Sequence, residues 1–526
     1  MRRGVPTGSF LRIETGLFIQ PSAHPRALKS FAPENSLRRD RFAGLALAYL
    51  LLPSLVFLLT WVRPGIGIPT ALVVAASFLW FLRTNDTPGS RPAISNGSWI
   101  FILVLALVWT FLAGVGGFVP QTSDYEKHNL AYHDLLGQSW PVRYDGDTGS
   151  YFMCYGLGYY LVPALAARLA GAAWLPALTL AWGFIGVALF FYWVATFSRS
   201  PKKTLGLFLL FATTETLWHM FLHLLHNPHF AAQGQPIRES LTRLGIESVY
   251  SDNFMSLQYR PQHVISAWLG AALFYELFWV RHNPRGAALV WAACIAWSPL
   301  MCLGLLLVPV TALGQWRWRD LLEPVNVGGG ILLAVLAVYF QGHVPLTEKG
   351  PIWKFSHGAE WLVLYPWFLL LQLTPMLFIY LADRKYRLLD GFRPLFLGSF
   401  ALLLLLPLYK IGYYGDQRLQ GGTPALVFAA LAACRIFEHQ AFSIRRPLFA
   451  LLVATQLVGA IYPFGKWWWQ CLDGQAVDYS FEAVKQRYGY ENLSQFKRYG
   501  YDYASQYLGR TNSLANEWML KPAETK

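Results

Sequence analysis

The stretch YFMCYGLGYYLVPALAARLAG, residues Tyr151–Gly171, is apolar enough to enter a membrane, and whether it crosses decides the sidedness of everything after it. Its first thirteen residues hold four tyrosines, two glycines and a proline. That composition favours a helix lying in the interface, or dipping into it and returning, over a plain span. On either side of it, apolar segments of roughly 17–25 residues recur, the length a helix needs to cross about 30 Å of hydrocarbon. The chain has 526 residues, of which 55% are hydrophobic, 16% aromatic and only 14% charged, the balance of a polytopic membrane protein. Backbone groups in lipid must be satisfied internally, so the expected fold class is all-α. The apolar runs predict thirteen crossings, at 43–62, 66–82, 98–119, 174–197, 204–225, 262–281, 287–298, 299–315, 325–341, 358–381, 394–408, 423–441 and 447–464.

Charge placement settles how 151–171 is read. If it does not cross and the N-terminus is inside, the short inside loops carry 16 Lys/Arg in 60 positions, against 11 in 123 outside. A full crossing would turn RSPKK (199–203 with its flank), RHNPR, DRKYR and SIRRP outward, against the positive-inside tendency. The expected organisation is a basic cytoplasmic tail at 1–42, a membrane domain at 43–464 with an outer loop at 120–173, and a small helical extracytoplasmic tail at 465–526. Because 1–41 is rich in Arg and Lys and has no apolar core, that segment reads as a disordered tail rather than a signal peptide. The location implied is the inner membrane, with the N-terminus cytoplasmic and the C-terminus extracytoplasmic.

The net charge of +14 sits in loops between spans, so it reads as a topology signal and not as a nucleic-acid surface. The five cysteines have no CxxC or paired spacing, so no disulfide framework or Cys-based metal site is implied. Nine of the twelve histidines fall in or near the outer face under this topology.

Four constellations there could carry chemistry. Just after the third run comes Asp124-Tyr125-Glu126-Lys127-His128, where two carboxylates beside a cation and an imidazole could supply a base or hold a divalent metal. Glu215, His219 and His223 recur every four residues along one helix face, a candidate metal set whose alternatives are contacts to phosphate or plain interhelical hydrogen bonds. Arg260 and His263 flank Pro261 at a helix start, where free backbone N–H groups favour an anion. Lys410, Asp416 and Arg418 stand in YKIGYYGDQRLQGG, whose glycines let backbone approach a ligand; the plainer reading is a solvated turn. Beyond 464, Phe481, Val484 and Tyr488, then Phe496, Tyr499 and Tyr503, predict two short amphipathic helices packed over the outer mouth.

A long outer loop with an acidic motif just beyond an early span, followed by a Tyr/Gly/Pro interfacial helix, resembles the GT-C superfamily of polyprenyl-phosphate-dependent glycosyltransferases. It is most similar to the bacterial aminoarabinose transferase and protein mannosyltransferase branch. The resemblance covers residues 95–460 in architecture. It implies a sugar donor carried on a polyprenyl phosphate, a lipid or glycan acceptor on the outer side, and an acidic residue as base or metal ligand; Asp124 matches that position best and Glu126 second. Two spans precede the acidic loop that the family pattern lacks. DTGSYFMCYGLG also stands where the family carries Lys-Pro-Pro, so no phosphate-binding lysine is carried over there. On this reading His128, Arg260, His263, Lys410, Asp416 and Arg418 bind substrate or phosphate. The rival classes are a transporter or flippase for a lipid-linked or anionic substrate, in which the same cations bind without bond cleavage, and a non-catalytic subunit of an envelope assembly.

Overall fold

A computed structural model describes residues 41–522 apart from 85–93, 147–148, 199, 212, 227–230, 249, 251, 346–347, 441, 473–476, 499–500 and 503. Residues 1–40 of the expected tail at 1–42 lie outside the described residues. The chain is mostly helical, with three small antiparallel sheets built from its loops. Seven helices among the described residues are long and apolar enough to cross a membrane: Phe42–Thr60, Pro64–Thr84, Ala172–Ala195, Pro261–Val280, Pro324–Gln341, Trp361–Tyr386 and Asp416–Glu438.

Thirteen full crossings were expected, and the structure corrects that count because several apolar runs are interrupted. The run at 204–225 divides into Pro201–Leu210 and Glu215–His226. At the break, Thr213 donates to the Tyr250 carbonyl (2.7 Å) and the Thr214 N–H to that of Gln372 (3.3 Å), so neighbouring segments satisfy polar groups where the helix stops. The runs at 287–298 and 299–315 form a hairpin. Ala287–Trp297 has 11 residues and rises about 16 Å, half the hydrocarbon thickness. At its tip Trp297 donates to the carbonyl of Leu50, midway along Phe42–Thr60 (3.1 Å). After Pro299 the chain descends through Met301–Leu305 and Leu307–Thr311, and Trp316 meets Phe278 at the far end of Pro261–Val280. Asn96–Leu112 and Arg393–Leu408 are apolar and shorter than these seven, and the apolar helix Pro447–Leu472 has 26 residues.

The deciding stretch becomes the strand Gly149–Met153, a turn at Leu157–Tyr159 and the helix Leu161–Ala170. Ten residues rise only about 15 Å. Arg168, at the far end, donates to the Leu135 carbonyl (2.8 Å) and stacks on Trp140, so the segment begins and ends against the same loop.

Loop contacts fall into two sets at opposite helix ends. In one, Thr122 meets Gln258, Lys410 meets Thr242 and Arg243, Tyr488 meets Glu126, and Val344 meets Leu508. Val62 and Arg63, at the turn after the first helix, join this set through Leu520 and Met519. In the other, Arg285 pairs with Glu323 (3.0 Å), Arg393 with Asp383 (2.5 Å), and Thr204 bonds Glu438 (2.6 Å).

The C-terminal segment covers the first of these faces. Leu508–Arg510 adds a third strand to Arg143–Gly146 and Gly149–Met153, with Tyr151 opposite Arg510. The helix Phe481–Tyr488 packs on Tyr125–Gly137, where Phe481 stacks on His133. Of the two helices expected here, only this first one forms: Phe496 leads into the hairpin Lys497–Arg498 with Tyr501–Asp502, and Tyr499 and Tyr503 lie outside the described residues. Helix Pro447–Leu472 also runs past the expected boundary at 464.

Candidate functional site

A cavity of 1350 Å³ opens among the loops of the first face. Its floor includes Pro299 and Leu300 at the hairpin tip, so it reaches to about half the membrane depth. Glycine makes this geometry: a Cβ on Gly156 would collide with the Trp297 carbonyl, which keeps Tyr155 close above the hairpin. Gly415, at φ +71°, turns the 409–418 loop so tightly that a Cβ would lie 2.7 Å from the Gly245 carbonyl oxygen.

Asp124, Arg260, His263, Lys410, Asp416 and His219 all line this one cavity, although they come from four separate segments. Asp124 accepts a hydrogen bond from Lys127 (2.9 Å), and each side chain is 13% exposed. Asp416 lies within electrostatic reach of Lys127, Arg260, Asp124 and Arg418. The Lys410 ammonium, almost wholly buried, pairs with Glu348 (2.5 Å) and donates to the Arg243 carbonyl (2.8 Å). Burial lowers its pKa, and the Glu348 carboxylate opposes that shift.

Other candidates lie elsewhere. Glu126 is buried, accepts from the Tyr488 hydroxyl (3.2 Å) and is not part of the cavity wall. His128 is buried with Nδ1 2.7 Å from the Tyr160 hydroxyl and Nε2 3.4 Å from the Tyr259 carbonyl. Burial, with Lys127 nearby, pushes its pKa down to about 3. Arg418 lies beside the cavity rather than on its wall, sandwiched between Tyr250 and Phe368 and donating to the carbonyls of Gly245 (3.1 Å) and Tyr414 (3.3 Å). His223 is exposed, and the side chain of Glu215 lies outside the described residues. Among the described residues no group of three His, Cys, Asp or Glu side chains could hold a metal ion.

The structure adds residues that the sequence patterns did not single out. Helix Ala231–Leu244 sends Arg238, Glu239 and Arg243 to the wall, with Arg238 paired to Glu247 (3.1 Å) and Arg243 to Glu360 (2.8 Å). Glu348 arrives on the loop before Lys349–Pro351, a strand paired with Tyr409–Ile411. Tyr155 comes from the turn between the strand Gly149–Met153 and the helix Leu161–Ala170, and Tyr507 from the C-terminal segment. Cations and carboxylates balance on this wall: Lys127, Arg238, Arg243, Arg260 and Lys410 against Asp124, Glu239, Glu247, Glu348 and Asp416, with three histidines besides. Beneath the floor, the facing helices present Trp268, Leu273, Phe428 and Leu431, all buried and apolar.

No protein-family model, no curated protein and no solved structure matches the chain.

Proposed function

We propose that the protein is a membrane glycosyltransferase that moves a sugar from a polyprenyl-phosphate donor to a lipid or glycan acceptor on the extracytoplasmic face of the cell membrane. The observation that carries this reading is the single cavity in which Asp124, Arg260, Lys410 and Asp416 meet, open at the loop face and reaching down to half-depth. A lipid phosphate would enter such a cavity from the headgroup level, at the edge of the hydrocarbon, with its sugar toward water and its chain in hydrocarbon. A wall of balanced charge suits a ligand bearing one phosphate better than a polyanion.

In the chemistry proposed, the acceptor hydroxyl oxygen attacks the anomeric carbon as Asp124 takes its proton. The bond from that carbon to the phosphate oxygen breaks, and the lipid phosphate leaves with the electron pair. Arg260 and the start of helix Pro261–Phe274 stabilise the negative charge on the leaving group. The apolar packing beneath the floor favours this over a flippase, which needs a polar path from one face to the other.

The test is purified protein in lipid bilayers, offered a panel of polyprenyl-phosphate sugars with envelope lipids and glycans as acceptors. The expected result is release of free polyprenyl phosphate coupled to a glycosylated acceptor. Movement of an intact lipid-linked sugar between leaflets, without cleavage, would support the transporter instead.

A further inference from the structure

Of the five carboxylates on the cavity wall, three already have donors. Asp124 accepts from Lys127 (2.9 Å), Glu247 from Arg238 (3.1 Å) and the Thr242 hydroxyl (2.7 Å), and Glu348 from Lys410 (2.5 Å). Glu239 is exposed, so water serves it. Asp416 differs from all four: it is half-buried, lines the cavity, and has no hydrogen bond or ion pair to its carboxylate among the described residues. The turn before it holds that carboxylate in place, because a Cβ on Gly412 would collide with Asp416 Oδ2. Within its electrostatic reach are Asp124, Lys127, Arg260 and Tyr155, whose hydroxyl lies 3.3 Å from the Gln262 side-chain amide. These four come from three other segments and line the same cavity.

An ionised carboxylate only accepts hydrogen bonds. A phosphate oxygen offers it no proton and repels it, so the group that meets Asp416 carries O–H. In the reading above Arg260 takes the phosphate, and the sugar hangs from that phosphate by one oxygen. We infer that Asp416 is a specificity-determining residue whose carboxylate accepts from neighbouring hydroxyls of the donor's sugar. Two carboxylate oxygens accept side by side, as they do from the fork of an arginine, and so match a pair of adjacent hydroxyls. The sugar is thereby held from one side while Asp124 faces the incoming acceptor. Such a grip selects a neutral sugar with adjacent free hydroxyls and rejects one that bears a carboxylate there. That the hydroxyls belong to the donor rests on the transfer reading; that Asp416 meets a hydroxyl-bearing group does not.

The experiment uses the full chain in lipid bilayers at neutral pH, without acceptor. Affinity is measured for polyprenyl phosphate alone and for a panel of polyprenyl-phosphate hexoses and pentoses. The parent is expected to bind its best sugar-bearing lipid at least about tenfold tighter than the bare lipid phosphate. D416A should lose that preference by about tenfold or more, the effect of hydrogen bonds to a charged group, and should bind the bare lipid as well as the parent does or better. D416N keeps the size and one acceptor oxygen, so its preference should fall between; it carries the test if D416A does not fold. Removing a contacted hydroxyl from the sugar should weaken binding to the parent and leave D416A unaffected. A parent with no preference for the sugar, or a preference that survives intact in either variant, overturns the inference. An equal gain for both lipids in D416A also overturns it, since a carboxylate that only balances Lys127 and Arg260 behaves that way. The expected preferences found in a protein that transfers no sugar would remove the transfer reading and leave this one standing.

Discussion

Changing Asp124 to Asn keeps the side chain's size and removes its charge, and the structure lets the two consequences be separated by magnitude. Asp124 pairs with Lys127 at 2.9 Å, with both side chains 13% exposed. Exposed pairs contribute about 0–1 kcal/mol, and breaking a fully buried one costs about 3–5 kcal/mol. A pair this far from bulk water falls between, so D124N should lower stability by about 1–2 kcal/mol. A general base contributes roughly 10²–10⁴ in rate, or about 3–5 kcal/mol of barrier. The assay pairs thermal unfolding in bilayers with release of polyprenyl phosphate from a labelled donor. D124N is expected to fold, melt slightly lower and lose at least two orders of magnitude in transfer. The double variant D124N/K127Q separates a base from a carboxylate that only neutralises its neighbour, because in the second case removing both charges restores activity. Transfer by D124N within about threefold of the parent, or recovery in the double variant, would refute the assignment. Glu126 offers no substitute base, since it stands behind the wall on the Tyr488 hydroxyl.

Buried His128 has its folded pKa pushed down to about 3, so the unfolded chain takes up a proton as pH falls below about 6.5 while the folded chain does not. Its contribution to stability is present at neutral pH and is lost progressively on acidification through that window, at up to about 1.4 kcal/mol per pH unit. The melting temperature should therefore drop less between pH 7 and pH 5 in H128Q than in the parent; equal drops would count against the buried neutral ring. Lys410 spends its charge on Glu348 and the Arg243 carbonyl, so K410M should cost about 2 kcal/mol of stability yet slow transfer less than R260A does, and the reverse order of rates would make Lys410 a ligand contact. Asp134, fully buried, accepts from the Tyr144 hydroxyl and the Leu493 N–H (both 2.8 Å), which ties the helix Tyr125–Gly137 to the C-terminal segment. D134A strands both donors and should destabilise by about 2–5 kcal/mol, while D134N keeps an acceptor oxygen and should cost less than half as much; equal losses would refute this account. For sidedness, in a chain with Cys471 changed to Ser, cysteines at exposed Ser139 and Asn512 should react with an impermeant reagent in intact cells and those at Lys202 and Arg445 should not; the opposite pattern would invert the topology.

How far the sequence could be read differs from residue to residue, for physical reasons. His128 was grouped with Asp124 and Glu126 because it is their neighbour in the chain. Yet Tyr125, His128, Tyr132 and Leu135 repeat at helical spacing, and that stripe is the buried face of Tyr125–Gly137, so the signal placing His128 in the core was present. For Arg243, Glu348 and Gln262 no such signal exists. Arg243 sits among the charges of a polar helix and Gln262 in an apolar one, and only contacts between distant segments bring them to the cavity or its wall. Pro299 marks the break in the run from 287 to 315, but hydropathy registers apolarity and not depth, and so counts two spans where a hairpin stands. That miscount and the site share one cause. A helix that stops at half-depth leaves backbone groups that lipid cannot satisfy, so it is tolerated only where protein or water meets them. At the hairpin tip the Trp297 indole donates to the Leu50 carbonyl and the Ser298 hydroxyl to the Gln420 side chain, and the space above opens into the cavity that Asp124, Arg260 and Asp416 line. Ionisable side chains are tolerated at that depth because the cavity opens to the loop face and lets water reach them.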